Sequence, residues 1–419
     1  MKNRNLIFIC SEFPYGTAET FVENEFPFLF QSFDKIIIIT NRTPTGNVRI
    51  LGSENVEIIY FPYELSFFEK LISFQGVFSK EFWREIRIVF NQYKLSLNFL
   101  ILKTLLKSMQ EGRRLADFLE KTLANKKLNS RETLFYSYWL NDMAIGLAEL
   151  KTRMPEIRAV SRAHGWDVYM ERQAFQYLPL RIFLLKNLDV CFPISENGKQ
   201  YLQSLCKEHR NKIKTSRLGT MNSNPIVLAQ KNNTLDTFYT IVSCSNLIPL
   251  KRVHLIIEAL SMINDTNIKW IHFGSGYLES EIKQLANGKL SALKNIQFEF
   301  KGWVSNKELM NFYNFYKIHL FINVSEFEGI PVSIMEAMSF GIPCLATDVG
   351  GTSEIVNHRN GVLLTSNTDA NEIANAILEF INMNEEMYSD FSKNAFYTWK
   401  NDYNAEKNYK AFIGQILEL

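Results

Sequence analysis

The sequence predicts an α/β protein with two Rossmann-like, doubly wound domains that face each other across a cleft. Three observations predict this fold class. Short apolar runs rich in β-branched residues alternate with longer helical stretches, and the runs are continuously apolar, as in parallel strands that are covered on both faces. The alternation occurs twice along 419 residues, a length that suits two domains of about 200 residues each. Strand, helix and strand repeated in this way indicate a doubly wound sheet in each half.

Six runs in each half are predicted to be buried strands. In the first half they cover residues 5–10, 35–40, 56–61, 133–138, 157–162 and 189–195. In the second half they cover residues 238–244, 268–274, 296–300, 318–323, 342–347 and 361–365. Between them lie helical patterns such as RVHLIIEALSMI and SNKELMNFYNFY, so each half has its own sheet with its own helices.

The domain boundary falls in a segment of low periodicity. Residues 221–236 are predicted to be a linker between an N-terminal domain, residues 1–220, and a C-terminal domain, residues 237–390. The last stretch, residues 391–419, is amphipathic and is predicted to be helical. Because open α/β sheets bind ligands at the carboxyl ends of their strands, we expect the ligand site in the cleft between the two domains.

The composition excludes several classes of protein. With 46% hydrophobic and 21% charged residues the chain is neither disordered nor collagen-like. A net charge of +2 is too small to give the protein an overall electrostatic field that attracts nucleic acid. The five cysteines are scattered with no CxxC pair, which fits a reducing compartment. No signal peptide and no run of about 18 apolar residues is present, so we expect a cytoplasmic protein.

One helical segment, residues 63–114, does not fit the plain strand–helix alternation. It is rich in phenylalanine and carries nine Lys and Arg residues against five Glu. Two interpretations are open. The segment is a helical insertion that packs on the N-terminal domain, since phenylalanine at helical spacing is usually core, or it presents a face that rests on an anionic membrane.

Two glutamates, Glu328 and Glu336, stand with seven residues between them in the stretch SEFEGIPVSIMEAM. Pro331 has its φ preset for the first position of a helix, so the spacing predicts a helix over 331–340 that Gly341 ends. The backbone amides at this helix start would form an anion site facing the cleft; they belong to Gly329, Ile330, Val332 and Ser333. Alternatively, Glu336 only complements the helix dipole and Glu328 is an ordinary loop acid.

Two further places carry candidate residues. Lys251 and Arg252 precede a predicted helix, where basic residues oppose the helix dipole, which favours a functional role over a solvated helix start. His164 follows a predicted strand and precedes a glycine, so it would project into the cleft, although a lone histidine is more often structural. Asp167 either orients the same loop or binds an acceptor.

The glycine-containing loops give weaker signals. Gly16 and Thr17 follow the first strand, but YGTAET is not the GxGxxG fingerprint of dinucleotide sites. Gly274 lies in a tight connection between a strand and a helix. No Asp-x-Asp, HExxH or Cys/His cluster is present, so we expect no essential metal, with Lys251, Arg252 and the helix start supplying the charge instead.

These motifs together resemble the family 4 glycosyltransferases, which are retaining enzymes with the two-domain GT-B fold. The stretch with Glu328 and Glu336 resembles their E-x7-E signature, and the likeness continues through Gly350, Gly351 and Glu354. The segments FICSEFPYGTAETFVENEF and RAHGWDVY resemble the N-terminal loop and the histidine motif of polysaccharide-building members. The resemblance covers nearly the whole chain.

The resemblance implies roles for the acidic residues and the histidine. Glu328 would lie beside the donor sugar and His164 would contact it. Glu336 would bind the ribose hydroxyls of the nucleotide, and a carboxylate can indeed accept two vicinal hydroxyl protons. We therefore predict a catalytic set of His164, Glu328 and Lys251, with the amides after Glu328 at the sugar hydroxyls and the phosphates.

The resemblance also implies how the nucleotide diphosphate is held. Lys251 matches the family's lysine, whereas Asn246 stands where an arginine is usual, so either Arg252 supplies the second charge or the leaving group is held less strongly. The loop with Gly16 and Thr17 would lie beside the diphosphate and the acceptor. Two further residues, Gly274 and Val304, would lie near the nucleotide base.

The implied activity is transfer of a sugar from a UDP- or GDP-linked donor to a hydroxyl of a glycan or lipid-linked acceptor, with retention of the anomeric configuration. The resemblance implies cell-surface polysaccharide biosynthesis, a cytoplasmic or peripheral membrane location, and a helix within 391–419 that crosses back to the N-terminal domain. An alternative from another class is a non-catalytic nucleotide-sugar-binding subunit of a transferase complex, which the neutral Asn246 favours. A third alternative, an inverting transferase or epimerase, would not explain the seven-residue spacing between Glu328 and Glu336.

Overall fold

The computed structural model describes residues 4–16, 19–44, 48–49, 54–62, 65–222 and 238–419. The chain divides into two compact units. The first comprises Met1–Ser216 together with Tyr409–Leu419, and the second comprises Arg217–Asn408. The predicted linker, residues 221–236, lies outside the described residues except for its first two positions.

The first unit contains a parallel sheet in the strand order β3-β2-β1-β4-β5-β6. Its strands are β1 Asn5–Cys10, β2 Lys35–Thr40, β3 Val56–Tyr60, β4 Thr133–Ser137, β5 Arg158–Ala163 and β6 Val190–Pro193. Every residue of β1 and β4 is buried, because helices cover both faces of a parallel sheet. Strand order reverses between β1 and β4, which is the topological switch point of this sheet.

Helices connect these strands. They are α1 Val22–Ser32, α2 Phe67–Ile72, α3 Lys80–Asn91, α4 Phe99–Asn125, α5 Asp142–Arg153, α6 Arg181–Asn187 and α7 Glu196–Leu205. Helix α3 begins where the Ser79 side chain accepts the Phe82 amide, and α4 begins where the Asn98 side chain accepts the Ile101 amide. Helices α2 and α3 and most of α4 lie in the described part of the segment 63–114, which was predicted to be helical.

The core of the first unit contains a fully buried ion pair. Arg162 on β5 donates from Nε to Glu25 Oε2 on α1 at 2.9 Å, and both side chains have 0% exposure. The Tyr136 hydroxyl donates to Glu25 Oε1 at 2.7 Å, and the Arg162 guanidinium lies 4.0 Å from the centre of the Phe412 ring. Since Phe412 belongs to the last helix, this helix completes the core of the first unit.

The second unit repeats the architecture. Its parallel sheet has the order β12-β11-β10-β7-β8-β9, with the switch point between β10 and β7. The strands are β7 Tyr239–Cys244, β8 Ile268–Phe273, β9 Ile296–Gly302, β10 Leu320–Asn323, β11 Cys344–Thr347 and β12 Gly361–Leu364. The helices are α8 Val253–Leu260, α9 Glu279–Leu290, α10 Asn306–Phe315, α11 Val332–Met338, α12 Ala370–Asn382, α13 Glu385–Thr398 and α14 Ala405–Leu417, the last of which ends in the first unit.

The predicted fold class is confirmed, since both halves contain a parallel, doubly wound sheet. Each of the predicted strands overlaps an observed strand, and their ends differ by at most two residues. Among the helices that lie in the described part of the chain, none is long and apolar enough to cross a membrane.

Candidate active site

Glu328 lies in the loop after β10, at the switch point of the second sheet. Its Oε1 accepts a hydrogen bond from Lys251 Nζ at 2.5 Å, from Ser325 Oγ at 2.6 Å and from Asn323 Nδ2 at 3.3 Å. Lys251 comes from the loop after β7, the neighbouring strand across the switch point. The two loops therefore bring a carboxylate and an ammonium together where open α/β sheets bind ligands.

The Glu328 carboxylate is held in its charged form. Burial raises the pKa of this carboxyl, because the side chain is only 11% exposed. The charge of Lys251 lowers the pKa, and so do the hydrogen bonds from Ser325 and Asn323. The net effect lowers the pKa of Glu328 below its ordinary value. A carboxylate of this kind accepts hydrogen bonds from sugar hydroxyls and stabilises nearby positive charge.

The loop that follows β11 supports Glu328 from behind. Gly350 has a φ of +56°, and a Cβ at this position would lie 1.8 Å from the Glu328 carbonyl oxygen. The Gly351 amide donates to the Gly329 carbonyl at 2.8 Å. The glycine at position 350 is thus explained by a close approach of backbones that leaves no room for a side chain.

Helix α11 begins and ends inside the predicted range 331–340. Pro331 has a ψ of 114° and precedes the helix, so the prediction that it occupies the first helical position is wrong. The extended ψ keeps Pro331 outside the helix, and Gly341, with a φ of +70°, follows as predicted. Ile330 is buried, at 4% exposure, while Gly329 and Val332 are half-buried.

Glu336 is almost fully buried in the second unit. It is 7% exposed, and its Oε1 accepts from Asn306 Nδ2 at 2.5 Å. Burial raises the pKa of Glu336 to about 7, and the bond from Asn306 only partly opposes this shift. The two glutamates therefore differ, since Glu328 has a cation beside it and Glu336 has a neutral amide.

Arg252 is directed at backbone carbonyls. It has a φ of +46° after a 3₁₀ turn, Pro249–Lys251. Its Nε donates to the Val324 carbonyl at 2.8 Å and its guanidinium to the Ser325 carbonyl at 3.1 Å. A third bond reaches the Ser366 carbonyl at 3.2 Å. These bonds tie the loop after β7 to the loop after β10, which is a positioning role. Asn246, in the same loop, is exposed.

The predicted base-binding residues lie on two neighbouring strand ends. Gly274 follows β8 with a φ of +127°, and a Cβ there would lie 1.9 Å from the Ser245 carbonyl oxygen, so the loops after β7 and β8 touch. Val304 is half-buried and follows β9. It stands two residues before Asn306, the partner of Glu336, so the structure places Val304 and Glu336 in one neighbourhood.

His164 follows β5 in the first unit and lies in an aromatic surround. It is 6% exposed, with its ring centre 4.8 Å from that of Tyr138 and 4.4 Å from that of Trp139. Within the described residues, neither ring nitrogen has a hydrogen-bond partner, and Nδ1 lies 3.8 Å from Asp167 Oδ2. Because Nδ1 faces the Asp167 carboxylate, Nε2 is the buried polar atom that has no partner here, which is uncommon in a core.

Asp167 orients this loop, which was one of its two predicted roles. Its carboxylate accepts the backbone amides of His164 at 2.7 Å and of Leu140 at 2.8 Å. Burial opposes the charged form, but the contacts with His164 and Leu140 outweigh it, so the pKa of Asp167 is lowered. The fully buried carboxylate therefore ties the end of β5 to the loop after β4.

Three comparisons with known proteins bear on this arrangement. Residues 226–397 match the family described as "Glycosyl transferases group 1". The O-antigen biosynthesis glycosyltransferase WbnH of Escherichia coli is 26% identical over 226 residues, which cover 53% of this chain and 60% of that relative. The chain spans 60% of the length of a second Escherichia coli relative as well.

Solved structures resemble the chain over nearly its whole length. The Anabaena HepE structure, in complex with UDP and glucose, has a TM-score of 0.66 at 16% identity and covers 99% of both chains. Sucrose-phosphate synthase from Thermosynechococcus elongatus has a TM-score of 0.69 at 14% identity and covers 99% of this chain and 98% of that one. The predicted resemblance to GT-B glycosyltransferases is therefore confirmed. Family 4 membership, the retaining chemistry and the residue roles stay predictions.

The structure of this chain contains one functional candidate that its sequence did not reveal. Glu19 is 5% exposed and has a φ of 57°. Its carboxylate accepts the backbone amides of Ser11, Glu12 and Phe13 at 2.9, 2.7 and 2.8 Å. It also accepts the indole Nε1–H of Trp139, the residue that packs on His164. No sequence signal marks a glutamate in a left-handed conformation, so this residue was missed.

The predicted site residues fall into one group in each unit. In the second unit, Glu328 and Lys251 meet directly, and Glu336 lies beside the segment of Val304. In the first unit, Gly16, with a φ of +69°, belongs to the loop that Glu19 ties down, whereas Thr17 lies outside the described residues. Across the ranges that the structure describes, no group of three or more His, Cys, Asp or Glu side chains could hold a metal ion.

Proposed function

We propose that the chain is a retaining glycosyltransferase that moves a sugar from a nucleotide-diphosphate sugar to a hydroxyl of a glycan or lipid-linked acceptor. The observation that carries the proposal is the contact between Glu328 and Lys251 at the switch point of the second sheet. The names of the two Escherichia coli relatives support a place in polysaccharide biosynthesis. The cytoplasmic location stays a prediction.

The donor is bound by the second unit in this proposal. Glu336 accepts hydrogen bonds from the two ribose hydroxyls, and Glu328 accepts from hydroxyls of the sugar. Lys251 is 20% exposed and has a flexible stem, so its ammonium can move from Glu328 to the diphosphate. UDP is the first nucleotide to test, because the HepE neighbour is in complex with UDP, and GDP is the second.

Sugar transfer in this site is a substitution at the anomeric carbon. The bond between that carbon and the diphosphate oxygen breaks, and its electron pair stays on the diphosphate. The acceptor hydroxyl oxygen forms the new bond on the same face, and its proton goes to the departing phosphate oxygen. The products are a glycoside of retained configuration and a nucleoside diphosphate. Glu328 stabilises the positive charge that develops on the sugar, and Lys251 stabilises the leaving group.

The first unit contributes His164 to the proposal. Its Nε2 has no hydrogen-bond partner among the described residues, so a sugar hydroxyl would satisfy this buried polar atom. Gly16 and Thr17 are proposed to lie beside the diphosphate and the acceptor, as the family resemblance implies.

The proposal is tested in two stages with the purified chain. Calorimetry with UDP, GDP and their glucose conjugates shows whether a nucleotide sugar binds. NMR of the anomeric proton then follows the donor with a panel of saccharide acceptors, with and without a chelator. Donor consumption that yields a product of retained configuration supports the proposal and is expected to survive the chelator. An inverted product, or a chain that binds none of these nucleotides, refutes it.

A second candidate is a nucleotide-sugar-binding subunit without catalysis. In the loop 245–252, all of which the structure describes, Asn246 is neutral, Lys251 pairs with Glu328 and Arg252 bonds carbonyls. The charge available to a leaving diphosphate is therefore small. This candidate predicts donor binding with neither hydrolysis nor transfer, whereas any turnover by the purified chain excludes it.

A further inference from the structure

The helices α2 to α4 present an unusual surface to solvent. Of the 23 large apolar side chains that are exposed among the described residues, ten lie between positions 67 and 100. They are Phe67, Phe68, Ile72, Phe74, Phe78, Trp83, Phe90, Leu97, Phe99 and Leu100. Phe68 and Phe78 are 74% and 90% exposed. Scattered apolar side chains are ordinary on a surface, but a concentration of this kind marks an interaction site.

Helix α3 shows that the exposed face is fixed. Its inner face carries Phe82, Glu85 and Val89, which are buried. Glu85 Oε1 accepts the Leu180 amide at 3.0 Å and the Tyr177 hydroxyl at 3.1 Å. These contacts set the rotation of the helix about its axis, so its outer face must point away from the first unit.

The outer face of α3 combines aromatic and basic side chains. Trp83, Arg87 and Phe90 are exposed and recur at a spacing of four and three residues, so they lie on one side of the helix, and Lys80 lies on the same side one turn earlier. Aromatic rings interleaved with Lys and Arg are typical of helices that lie in the interface of a bilayer.

Charge around the face is predominantly positive. Seven basic residues are exposed between positions 65 and 107: Lys70, Lys80, Arg84, Arg87, Lys94, Lys103 and Lys107. The acidic residues of the same stretch are Glu69, which pairs with Arg114, the exposed Glu81 and the buried Glu85. A second copy of this chain on the face would bring like charges together, whereas an anionic surface complements them.

We infer that this aromatic and basic face, residues 65–107, binds the surface of an anionic lipid bilayer. The aromatic rings enter the interface, and the Lys and Arg side chains contact the lipid phosphates and carboxylates. The chain then lies on the membrane rather than across it, in keeping with the absence of a spanning helix in its described part. The inference does not depend on the transferase reaction, but it places the chain where a lipid-linked acceptor resides.

Co-sedimentation of the full chain with vesicles tests the inference. Vesicles of phosphatidylcholine with phosphatidylglycerol should bind the chain, and vesicles of phosphatidylcholine alone should bind it weakly. Binding should weaken as salt is raised, since surface charges are screened. The double variant Trp83→Ser, Phe90→Ser should lower the partition coefficient by about tenfold or more, because two interfacial anchors are removed. Arg87→Gln should produce a smaller loss and a weaker salt dependence.

Matched control variants come from the second unit. Tyr277 and Phe315 are 77% and 79% exposed, and the double variant Tyr277→Ser, Phe315→Ser should bind vesicles as the wild type does. Thermal melting confirms that each variant is folded, and calorimetry with UDP separates loss of membrane binding from loss of the proposed donor site.

Three results would overturn the inference. The first is that the folded wild type fails to bind anionic vesicles. The second is that the Trp83 and Phe90 variant binds them as well as the wild type does. The third is that sedimentation velocity finds the wild type to be a dimer and this variant to be a monomer. The face would then be occupied by a second copy of the chain.

Discussion

Donor binding by the second unit should depend on pH, because burial raises the pKa of Glu336 to about 7. In the proposed site the Glu336 carboxylate accepts hydrogen bonds from two ribose hydroxyls. A protonated carboxyl group must use one oxygen as a donor, so it can accept fewer such bonds. The chain in which Glu336 is ionised is therefore the form that binds the nucleotide well.

The size of the effect follows from the fraction of chains in which Glu336 is ionised. With a pKa of about 7, that fraction is about 0.9 at pH 8 and about 0.1 at pH 6. The apparent Kd equals the intrinsic Kd divided by this fraction. We expect the affinity for the donor to fall about tenfold from pH 8 to pH 6, which is about 1.4 kcal/mol. Binding should release protons, and the release should be largest well below pH 7.

UDP-glucose is a suitable ligand for this calorimetric titration, because both of its phosphates are esterified and neither titrates in the range. Two neighbours of Glu336 do not titrate there either. Burial holds the pKa of the Cys244 thiol and of the Tyr313 hydroxyl well above their ordinary values. Repeating the titration at pH 7 in buffers of different ionisation enthalpy counts the released protons.

Two variants control the interpretation. Glu336→Gln keeps the shape of the side chain but cannot ionise, so its weaker binding should not change between pH 6 and pH 8. Asn306→Ala removes a bond that lowers the pKa of Glu336, so the midpoint of the profile should move to higher pH. A flat wild-type profile, or a profile that persists in Glu336→Gln, would remove Glu336 from the ribose role.

The stability of the unliganded chain is an independent test. It should fall as the pH rises, whereas the affinity for the donor should rise. Because the folded chain raises the pKa of Glu336 from 4.5 to about 7, the folded state binds more protons than the unfolded state between these values. The free energy of unfolding contributed by this group is therefore highest below pH 4.5 and falls by about 3 kcal/mol as the pH rises to 7. Glu336→Gln should remove this fall.

Three further predictions concern other contacts. Lys251→Met should lower kcat about 100-fold or more, because it removes the cation proposed to stabilise the leaving group; an unchanged kcat/KM contradicts that role. Gly350→Ala should destabilise the chain by about 1–3 kcal/mol in thermal melts, whereas Gly288→Ala, where a Cβ meets nothing within 4 Å, should not. Glu25→Ala should lower the free energy of unfolding in urea by about 3–5 kcal/mol, since it leaves the buried Arg162 without its ion-pair partner. Glu23→Ala breaks a more exposed ion pair and should lower it by less than about 1 kcal/mol.

The fold could be predicted because burial dominates these strands. Strands such as β1 and β4 are continuously apolar, and every one of their residues is buried, so the pattern of side chains and the position in the sheet agree. Helix ends were less certain. Helix α11 was predicted over 331–340 and spans Val332–Met338, since the ψ of a proline is not fixed by its ring.

Parts of the site could not be predicted because they depend on contacts between distant positions. Asn306 contacts Glu336 from 30 residues away along the chain, and SNKE at that place indicates only a helix cap. Glu19 gathers amides from a loop that precedes it, in a backbone conformation that a glutamate rarely adopts. Sequence spacing identified Glu328 and Glu336 but not the partners that give them different pKa values.

The adjacent bases Lys251 and Arg252 show how backbone conformation separates residues of like charge. The positive φ of Arg252 turns its guanidinium toward the carbonyls after β10, while Lys251 reaches Glu328. With a neutral residue at Asn246, Lys251 is the side chain of this loop that can meet a diphosphate without breaking bonds to the backbone. If it does so, Glu328 loses its cation and becomes available to the sugar. Binding of the diphosphate and release of the Glu328 carboxylate are then one event in the proposed reaction.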